Sequence, residues 1–574
     1  MSTSTQQDPI YGSRSQKMIP WRPIPPPDSS VMRYATYWLS LLMTAVSVWL
    51  AMDHAGWWLG VVVFGGLAAL GTHDVCQRKR TLLRTYPILA HFRYGLESIG
   101  PEIRQYFIET DTAEAPFSRQ QRALVYQRAK GARETRPFGT QQDVYGVDYE
   151  WINHSVMPTH IQGTDFRVVV GANCAKPYSV SIFNISAMSF GSLSESAIRA
   201  LNQGAARGGF YHDTGEGSIS VHHRHGGDLV WEIGSGYFGC RLEDGTFDPE
   251  RFAQNASDPQ VKMIELKLSQ GAKPGHGGVL PAAKVSAEIA LARGVPMGVD
   301  CVSPARHSAF STPRELLAFI SQLRELSGGK PTGFKLAIGH PWEWFAIAKA
   351  MSETGELPDF ITVDGAEGGT GASPAEFMDH VGLPMHEALM LVHNTLVGLG
   401  LRDRVKVAAA GKVTSSFDIA RTLAMGADWC NAGRGFMFAL GCIQSQSCHT
   451  DRCPTGIATQ DPARWKQLDV PDKATRVFQY HKNTMAALRE LLCAAGLDHP
   501  SQLTPEHILR RVSPIEVRSI GALYRFLKPG DLIGKVPEHA VFQDFWSKAS
   551  SDSFRMTVTQ PVEREPKTID VKLV

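Results

Sequence analysis

Two uncharged apolar runs stand out near the start of the chain. The first thirty residues are polar and proline-rich, lack an apolar period, and read as a flexible tail over 1–30. Tyr34 to Met52 and Trp57 to Leu70 then flank a short Asp-His-Ala-Gly turn. The first run approaches the ~20 residues that cross a bilayer, and the second extends to Thr72. Tryptophan and tyrosine at the run ends suit the headgroup level. A signal peptide fits poorly, because the runs start late and no small-residue cleavage pattern separates them. Buried core helices are the other alternative. The pattern predicts a transmembrane helical hairpin over 31–75. Arg33 precedes it, Arg78, Lys79, Arg80 and Arg84 follow it, and the turn has neither Lys nor Arg. The expected location is the cytoplasmic membrane, with both tails and the body of the chain facing the cytoplasm.

Residues 76–165 have helical spacing in places, broken by Pro87 and Pro101, and read as an entry subdomain of short helices and loops. From Phe166 the pattern changes. Short apolar runs at Ser179–Ile185, Ile264–Leu268, Met297–Val302, Gly333–Ile338, Phe360–Val363, Val405–Ala409 and Trp429–Ala432 predict strands. Helical spacing lies between them at Ser194–Gly208, Ala283–Arg293, Pro313–Glu325, Pro341–Met351, Glu387–Leu399 and Ser415–Met425. With one strand allowed in Gly208–Lys262, about eight units favour an α/β fold, a (β/α)8 TIM barrel over 166–460. Residues 461–547, with helical spacing over Pro462–Gly496 and Leu503–Leu527, read as a C-terminal helical cap. Residues 548–574 read as a second disordered tail.

Composition changes this picture little. A formal net charge of +2 argues against an electrostatic nucleic-acid binder. Nine cysteines in 574 residues are no disulfide framework, and three of them crowd one loop. That loop, GCIQSQSCHTDRCPTGIATQ, carries Cys442, Cys448 and Cys453 at C-x5-C-x4-C spacing. The spacing is too loose for a zinc knuckle, and a closed tetrahedral site lacks a fourth ligand unless His449 supplies it. Three thiolates on one loop suit three corners of an iron–sulfur cluster; unrelated free cysteines are the plain alternative.

The loops after the predicted strands are rich in glycine. Gly411 and Gly433 just past the last two strands suit a phosphate cradle, with Lys412 or Arg434 adding charge, and a flavin mononucleotide is a plausible guest. Lys335 is a charge inside an apolar strand, either a solvated end or a cation facing a reduced flavin. Lys267, Gln270 and Lys273 put two cations and an amide at a three-residue period, as a dicarboxylate ligand needs. Glu216, between glycines, is a candidate acid or hydrogen-bond partner.

SAMSFGSLSESA, TGEGS, ELKLSQGAKPGHGGVLP, CVSP, DGAEGGTGASP, GLRDRV, ALGC and CHTDRCPTGIATQDP occur in this order, from about Asn184 to Pro462. Together they resemble the FMN-binding synthase domain of glutamate synthases. The resemblance implies a barrel carrying FMN and a three-iron (3Fe-4S) cluster, reducing 2-iminoglutarate, from 2-oxoglutarate and ammonia, to L-glutamate. It implies that Cys442, Cys448 and Cys453 ligate the cluster. It puts Glu216, Lys267, Gln270 and Lys273 at the substrate, and Ala187, Met188, Ser189, Lys335, Gly369 and Thr370 around the flavin. Gly411 and Gly433 then lie at the phosphate, with Arg434 beside them. Electrons would pass from an external donor, a ferredoxin or reductase subunit, through the cluster to FMN.

Three departures qualify this. The chain begins MSTSTQQ, without the N-terminal nucleophilic cysteine of a glutaminase domain; Ala410-Gly411-Lys412 stands where Asp-Gly-Gly is usual; and His276 replaces an acidic residue. No dinucleotide fingerprint follows a strand and opens a helix. The nearer likeness is to standalone synthase-like proteins, whose amine is free ammonia, the product of a separate glutaminase, or another amine yielding an N-substituted glutamate. The alternative is a membrane-tethered flavin and iron–sulfur electron-transfer component acting on a different substrate.

Overall fold

The computed structural model describes residues 33–77, 79–112, 115–534 and 536–557. The tail over 1–30, Arg78 of the basic flank, and residues 558–574 lie outside them. The chain divides into two compact units, Met1–Glu109 and Thr110–Val574. The border runs through the stretch read above as one entry subdomain.

In the first unit, helix α1 (Ala35–Ala51) and helix α2 (Trp58–Cys76) pack antiparallel across a one-turn helix at Ala55–Trp57. The second helix runs past the predicted Thr72 to Cys76. Ser40, Ser47 and Ala51 of α1 are buried, and Tyr37 bonds Thr72 across the pair at 3.1 Å. Trp38, Leu42, Trp49, Leu59 and Val62 are each more than half exposed. The segment Ala55–Cys76 is long and apolar enough to cross a membrane; α1, at 17 residues, is shorter. In the last turn of α2, buried Asp74 accepts from the Ile88 amide at 3.0 Å and contacts His91 Nε2 at 2.9 Å, fixing the chain where it leaves the hairpin.

The second unit is built on a closed barrel of eight parallel strands, taken in chain order. They are β1 (Phe183–Ile185), β2 (His212–Asp213), β3 (Leu229–Ile233), β4 (Val261–Lys267), β5 (Thr332–Leu336), β6 (Phe360–Asp364), β7 (Lys406–Ala410) and β8 (Trp429–Ala432). Helices alternate with the later strands as their 3.6-residue periods require, and the predicted ones form within a few residues of their expected bounds. Trp231, Trp344, Trp429, Phe183, Phe334 and Phe360 are fully buried, each worth about 1.5–3 kcal/mol of transfer energy.

Five expectations need correction. Ser179–Ile185 is two elements: Tyr178–Ser181 pairs antiparallel with Arg167–Val170, and only Phe183–Ile185 joins the barrel. The Gly208–Lys262 interval holds two strands, not one. β2 is short and polar, and Glu232 interrupts the apolar run of β3, so neither shows a plain apolar period. Met297–Val302 is not a barrel strand. Its last two residues pair antiparallel with Val279–Leu280 in an insertion after β4, where Met297, Val299 and Val302 are exposed.

The C-terminal cap is the fourth. Helix α3 (Val470–Ala494) buries Ala474, Val477, His481, Thr484, Leu488 and Leu492 on one stripe. It packs between the helices that follow β7 and β1, and so fills the eighth place in the outer ring. The stretch read as further helix instead forms strands Ile508–Ser513 and Glu516–Ser519, joined by Glu150–Ile152. Glu150 holds that sheet to the barrel through Arg510 at 2.6 Å and Arg421 at 2.7 Å. Residues 548–557, assigned to the tail by polarity, pack on the ring: Arg314 pairs with Asp552 at 2.7 Å, and Ser551 bonds Glu353 at 2.6 Å.

Candidate active site

The loops at the C-terminal ends of the strands enclose one cleft, where a parallel barrel presents its chemistry. Ala187, Met188 and Ser189 follow β1, and Glu216 follows β2. Lys267 ends β4, with Gln270 and Lys273 beyond it. Lys335 lies in β5, Gly369 and Thr370 follow β6, Gly411 follows β7, and Gly433 and Arg434 follow β8. All thirteen of these predicted residues line the cleft, and so does Cys448.

A run of alternating charge leads from the cleft into the barrel. Glu216 pairs with Lys267 at 3.0 Å, and Lys267 lies 3.9 Å from Glu232. Lys335 pairs with Glu232 and, at 3.4 Å, with Glu265, which also accepts from Thr362 at 2.6 Å. Lys335 therefore lines the cleft as expected, but its ammonium is engaged by two buried carboxyls. Carboxyl oxygens of Asp213, Glu232 and Glu265 lie within 4.8 Å of one another. Burial pushes Glu265 well above the usual carboxylate range, and the Asp213 charge adds to it. Burial raises Asp213 too, against the pull of Lys335. Both shifts run toward the neutral acid, so the two carboxyls favour sharing a proton over ionising together.

Glu216 behaves oppositely. Burial would raise it, but the adjacent Lys267 outweighs burial, with Arg293 and Lys273 helping, and holds the carboxyl below its ordinary value. It is ionised at neutral pH and can accept hydrogen bonds. A Cβ at Gly278 would fall 2.2 Å from Glu216 Oε1, so a side chain there would push this carboxylate from its place under the Lys-Pro-Gly-His-Gly-Gly turn. Lys273 donates to the Gly277 carbonyl at 2.9 Å within that turn. Behind β4, His307 Nε2 lies 2.8 Å from the Lys267 carbonyl and Nδ1 lies 3.0 Å from the Tyr237 hydroxyl. A carbonyl only accepts, so Nε2 carries the proton; burial pulls the ring down to about 4 and keeps it neutral.

The cysteine loop closes the other end of the cleft. Cys442 and Cys453 are buried, Cys448 is half-buried, and none forms a disulfide. Among the described residues, the three sulfurs do not form a group whose members all lie within 4.8 Å of one another. Two sulfurs on one zinc ion, at ~2.3 Å each, cannot lie farther apart than about 4.6 Å. As placed, the three free thiols do not converge on a single zinc ion.

The sulfurs meet hydrogen-bond donors. The Gln444 amide lies 3.5 Å from Cys442 Sγ, and the Thr455 hydroxyl 3.4 Å from Cys453 Sγ. Burial would raise the Cys453 thiol, but Thr455 and the main-chain amides of Ala458, Thr455 and Ile457 outweigh it and lower the thiol below its usual value. Burial raises Cys442. Arg434 spans the two halves of the site: Nη2 donates to the Gly369 carbonyl at 2.8 Å and Nη1 lies 4.0 Å from Cys448 Sγ. At Gly371 a Cβ would meet the Cys448 main chain at 2.9 Å, so the glycine loop after β6 rests directly on the cysteine loop.

Several contributors escaped the sequence reading. Glu232 and Glu265 are charges inside apolar strands, the same signal that singled out Lys335, and could have been found by it. Phe117 lines the cleft from a segment that showed no chemistry; its ring packs edge-on against Phe438. From the same segment, Tyr126 donates to the Cys442 carbonyl at 2.5 Å. Lys284 carried no local signal.

With the site described, its relatives can be placed. The family model for the conserved region in glutamate synthase matches residues 152–498. The chain is 39% identical over 481 residues to the glutamate synthase large subunit-like protein YerD of Bacillus subtilis, covering 76% of this chain and 91% of that one. It is 32% identical over 354 residues to the archaeal glutamate synthase [NADPH] of Methanocaldococcus jannaschii, covering 61% and 66%. A glutamate synthase large subunit-like protein of Rhizobium meliloti is 30% identical over 406 residues, 66% of this chain and 88% of that one. The chain thus spans most of the two synthase-like proteins and just under two thirds of the archaeal enzyme. By the extent of the family match and the identity to YerD, this chain belongs to the glutamate synthase family of oxidoreductases.

Proposed function

We propose that the cleft reduces the imine of 2-oxoglutarate and ammonia, or of another amine, to L-glutamate or an N-substituted glutamate. The observation that carries this reading is the meeting of Glu216, Lys267, Gln270 and Lys273 in one cleft with Lys335 and the Cys448 loop. An electron carrier alone has no need of a dicarboxylate clamp.

The residues present fit both prosthetic groups. From where a Cβ on Gly433 would stand, the nearest heavy atom is Ser186 Cβ at 4.0 Å, which leaves the main chain open to a phosphate. Gly411 lies on the adjacent loop, and Ala187 to Ser189, Gly369 and Thr370 would flank the ring and ribityl chain of FMN. Cys442, Cys448 and Cys453 would hold an iron–sulfur cluster, read as 3Fe-4S. When bound, the flavin supplies hydride and the cluster supplies single electrons from an external ferredoxin or reductase subunit.

The protein does the rest. Lys267 and Lys273 donate to the two substrate carboxylates, and Gln270 orients the chain between them. Ionised Glu216 accepts from the substrate nitrogen and so favours the protonated imine, the more electrophilic form. Lys335 would lend its positive charge to the reduced flavin, and a proton shared by Asp213 and Glu265 would leave it fewer buried anions to neutralise. Closure of the Gly277–Gly278 turn over Glu216 keeps water from the reacting carbon.

The exposed apolar hairpin supports a membrane tether, with the catalytic unit in the cytoplasm. It also favours a second reading, an electron-transfer component of a membrane assembly working on another substrate. Ammonia would come free from solution or from a separate glutaminase. Dithionite-reduced, anaerobically purified protein should be reoxidised by 2-oxoglutarate plus ammonium, with glutamate appearing. If no oxo acid and amine pair reoxidises a flavin-loaded, iron-loaded protein, the second reading takes over.

A further inference from the structure

The insertion after β4 carries Gln270 and Lys273 at one end and sends a third side chain into the cysteine loop. Lys284, in the short turn Ala282–Lys284, is 5% exposed. Its ammonium donates to the main-chain carbonyl of Cys448 at 3.1 Å and of Ala458 at 3.5 Å, and lies 3.8 Å from Asp451 Oδ1. These acceptors lie on both sides of Cys453, so one ammonium ties together the two arms of the loop. Arg434 approaches the Cys448 sulfur as well, at 4.0 Å. Its other nitrogen is committed to Gly369, whereas Lys284 spends all its contacts on the cysteine loop.

Reduction adds a negative charge to a thiolate-bound iron group. A fixed cation in a poorly solvated place stabilises that charge far more than a surface lysine could. We propose that Lys284 is a positioning residue for the cysteine loop, holding Cys448 in place and raising the reduction potential of the group the three thiolates bind. This rests on the reading of the loop as a cluster site. Asp451 partly offsets the ammonium, so removing its charge acts in the opposite direction.

The test uses the full-length protein and the variants Lys284→Met, Lys284→Arg and Asp451→Asn, purified anaerobically. Iron and acid-labile sulfide are measured, and the cluster is titrated potentiometrically by electron paramagnetic resonance. Lys284→Met should load iron yet be at least tenfold more oxidised at the wild-type midpoint, a negative shift of ~59 mV for one electron. Lys284→Arg should restore most of the shift, which a merely structural strut would not require, and Asp451→Asn should move the midpoint positive. A fully loaded Lys284→Met with the wild-type midpoint overturns the proposal. Should that variant fail to fold or load, Asp451→Asn decides: a positive shift supports the proposal and an unmoved midpoint overturns it. Wild-type protein that takes up no iron removes the cluster reading and this proposal with it, whereas loaded protein with an insensitive midpoint removes the proposal alone.

Discussion

In the hairpin, Ser40, Ser47 and Ala51 face inward while Trp38, Leu42, Trp49 and Leu59 face out. In the barrel, Trp231, Trp429 and Phe360 are buried, and one cluster of buried charge gathers Glu232 and Glu265 on Lys335, with Lys267 between Glu232 and the part-buried Glu216. The two units thus place polar side chains by opposite rules. Small polar residues between helices, with large apolar ones outward, are what the proposed membrane tether would require. Carboxyls and ammoniums gathered at one end of the barrel cost folding energy, which is in keeping with a ligand site there.

The largest expected effect breaks the comparison on the barrel side. Cys448→Ser should remove most of the bound iron and all amine-dependent turnover while leaving the circular dichroism unchanged; retention of full iron content would contradict the assignment. Lys267→Met comes next, because it takes from Glu216 its 3.0 Å cation and leaves Glu232 to Lys335 alone. It should destabilise the protein by about 3 kcal/mol or more, read from denaturant midpoints. Turnover should fall by about 10² to 10³-fold.

The hairpin is probed by a matched pair. Leu42→Asp, in the middle of α1, should release protein from the membrane pellet at a cost of about 3 kcal/mol in partition energy. Leu291→Asp changes a leucine still more exposed but in the second unit, and should shift neither sedimentation nor stability by more than about 0.5 kcal/mol. Equal behaviour of the two would dissolve the contrast.

The smallest effect concerns the proton on Asp213–Glu265. Between the ordinary carboxylate pKa and the raised value, the folded protein keeps a proton that the unfolded chain has lost. Stability should therefore fall as pH rises through that interval, by up to about 1.4 kcal/mol per pH unit per proton. Glu265→Gln should flatten this slope in thermal melts across pH; an unchanged slope would place the proton elsewhere.

Much of this was legible in one chain. Lys335 stood out as a charge inside an apolar strand, and the spacing of Lys267, Gln270 and Lys273 follows the turn that leaves β4. The barrel was legible because its helices are long and its later strands are plain apolar runs. What escaped was short or polar. His212–Asp213 is two residues long, and Glu232 breaks its own strand, yet both line the barrel interior where charge is put to use. Phe117 and Lys284 reach the site from elements distant in sequence, and no local period records a contact of that kind.

The central claim is that a dicarboxylate and a flavin share this one cleft. Titrating 2-oxoglutarate into flavin-loaded wild-type protein, while following the visible spectrum of the bound flavin, tests it most directly. A saturable spectral shift that disappears in Lys273→Met is the result expected here. Binding of 2-oxoglutarate detected by calorimetry with no change in the flavin spectrum would contradict it.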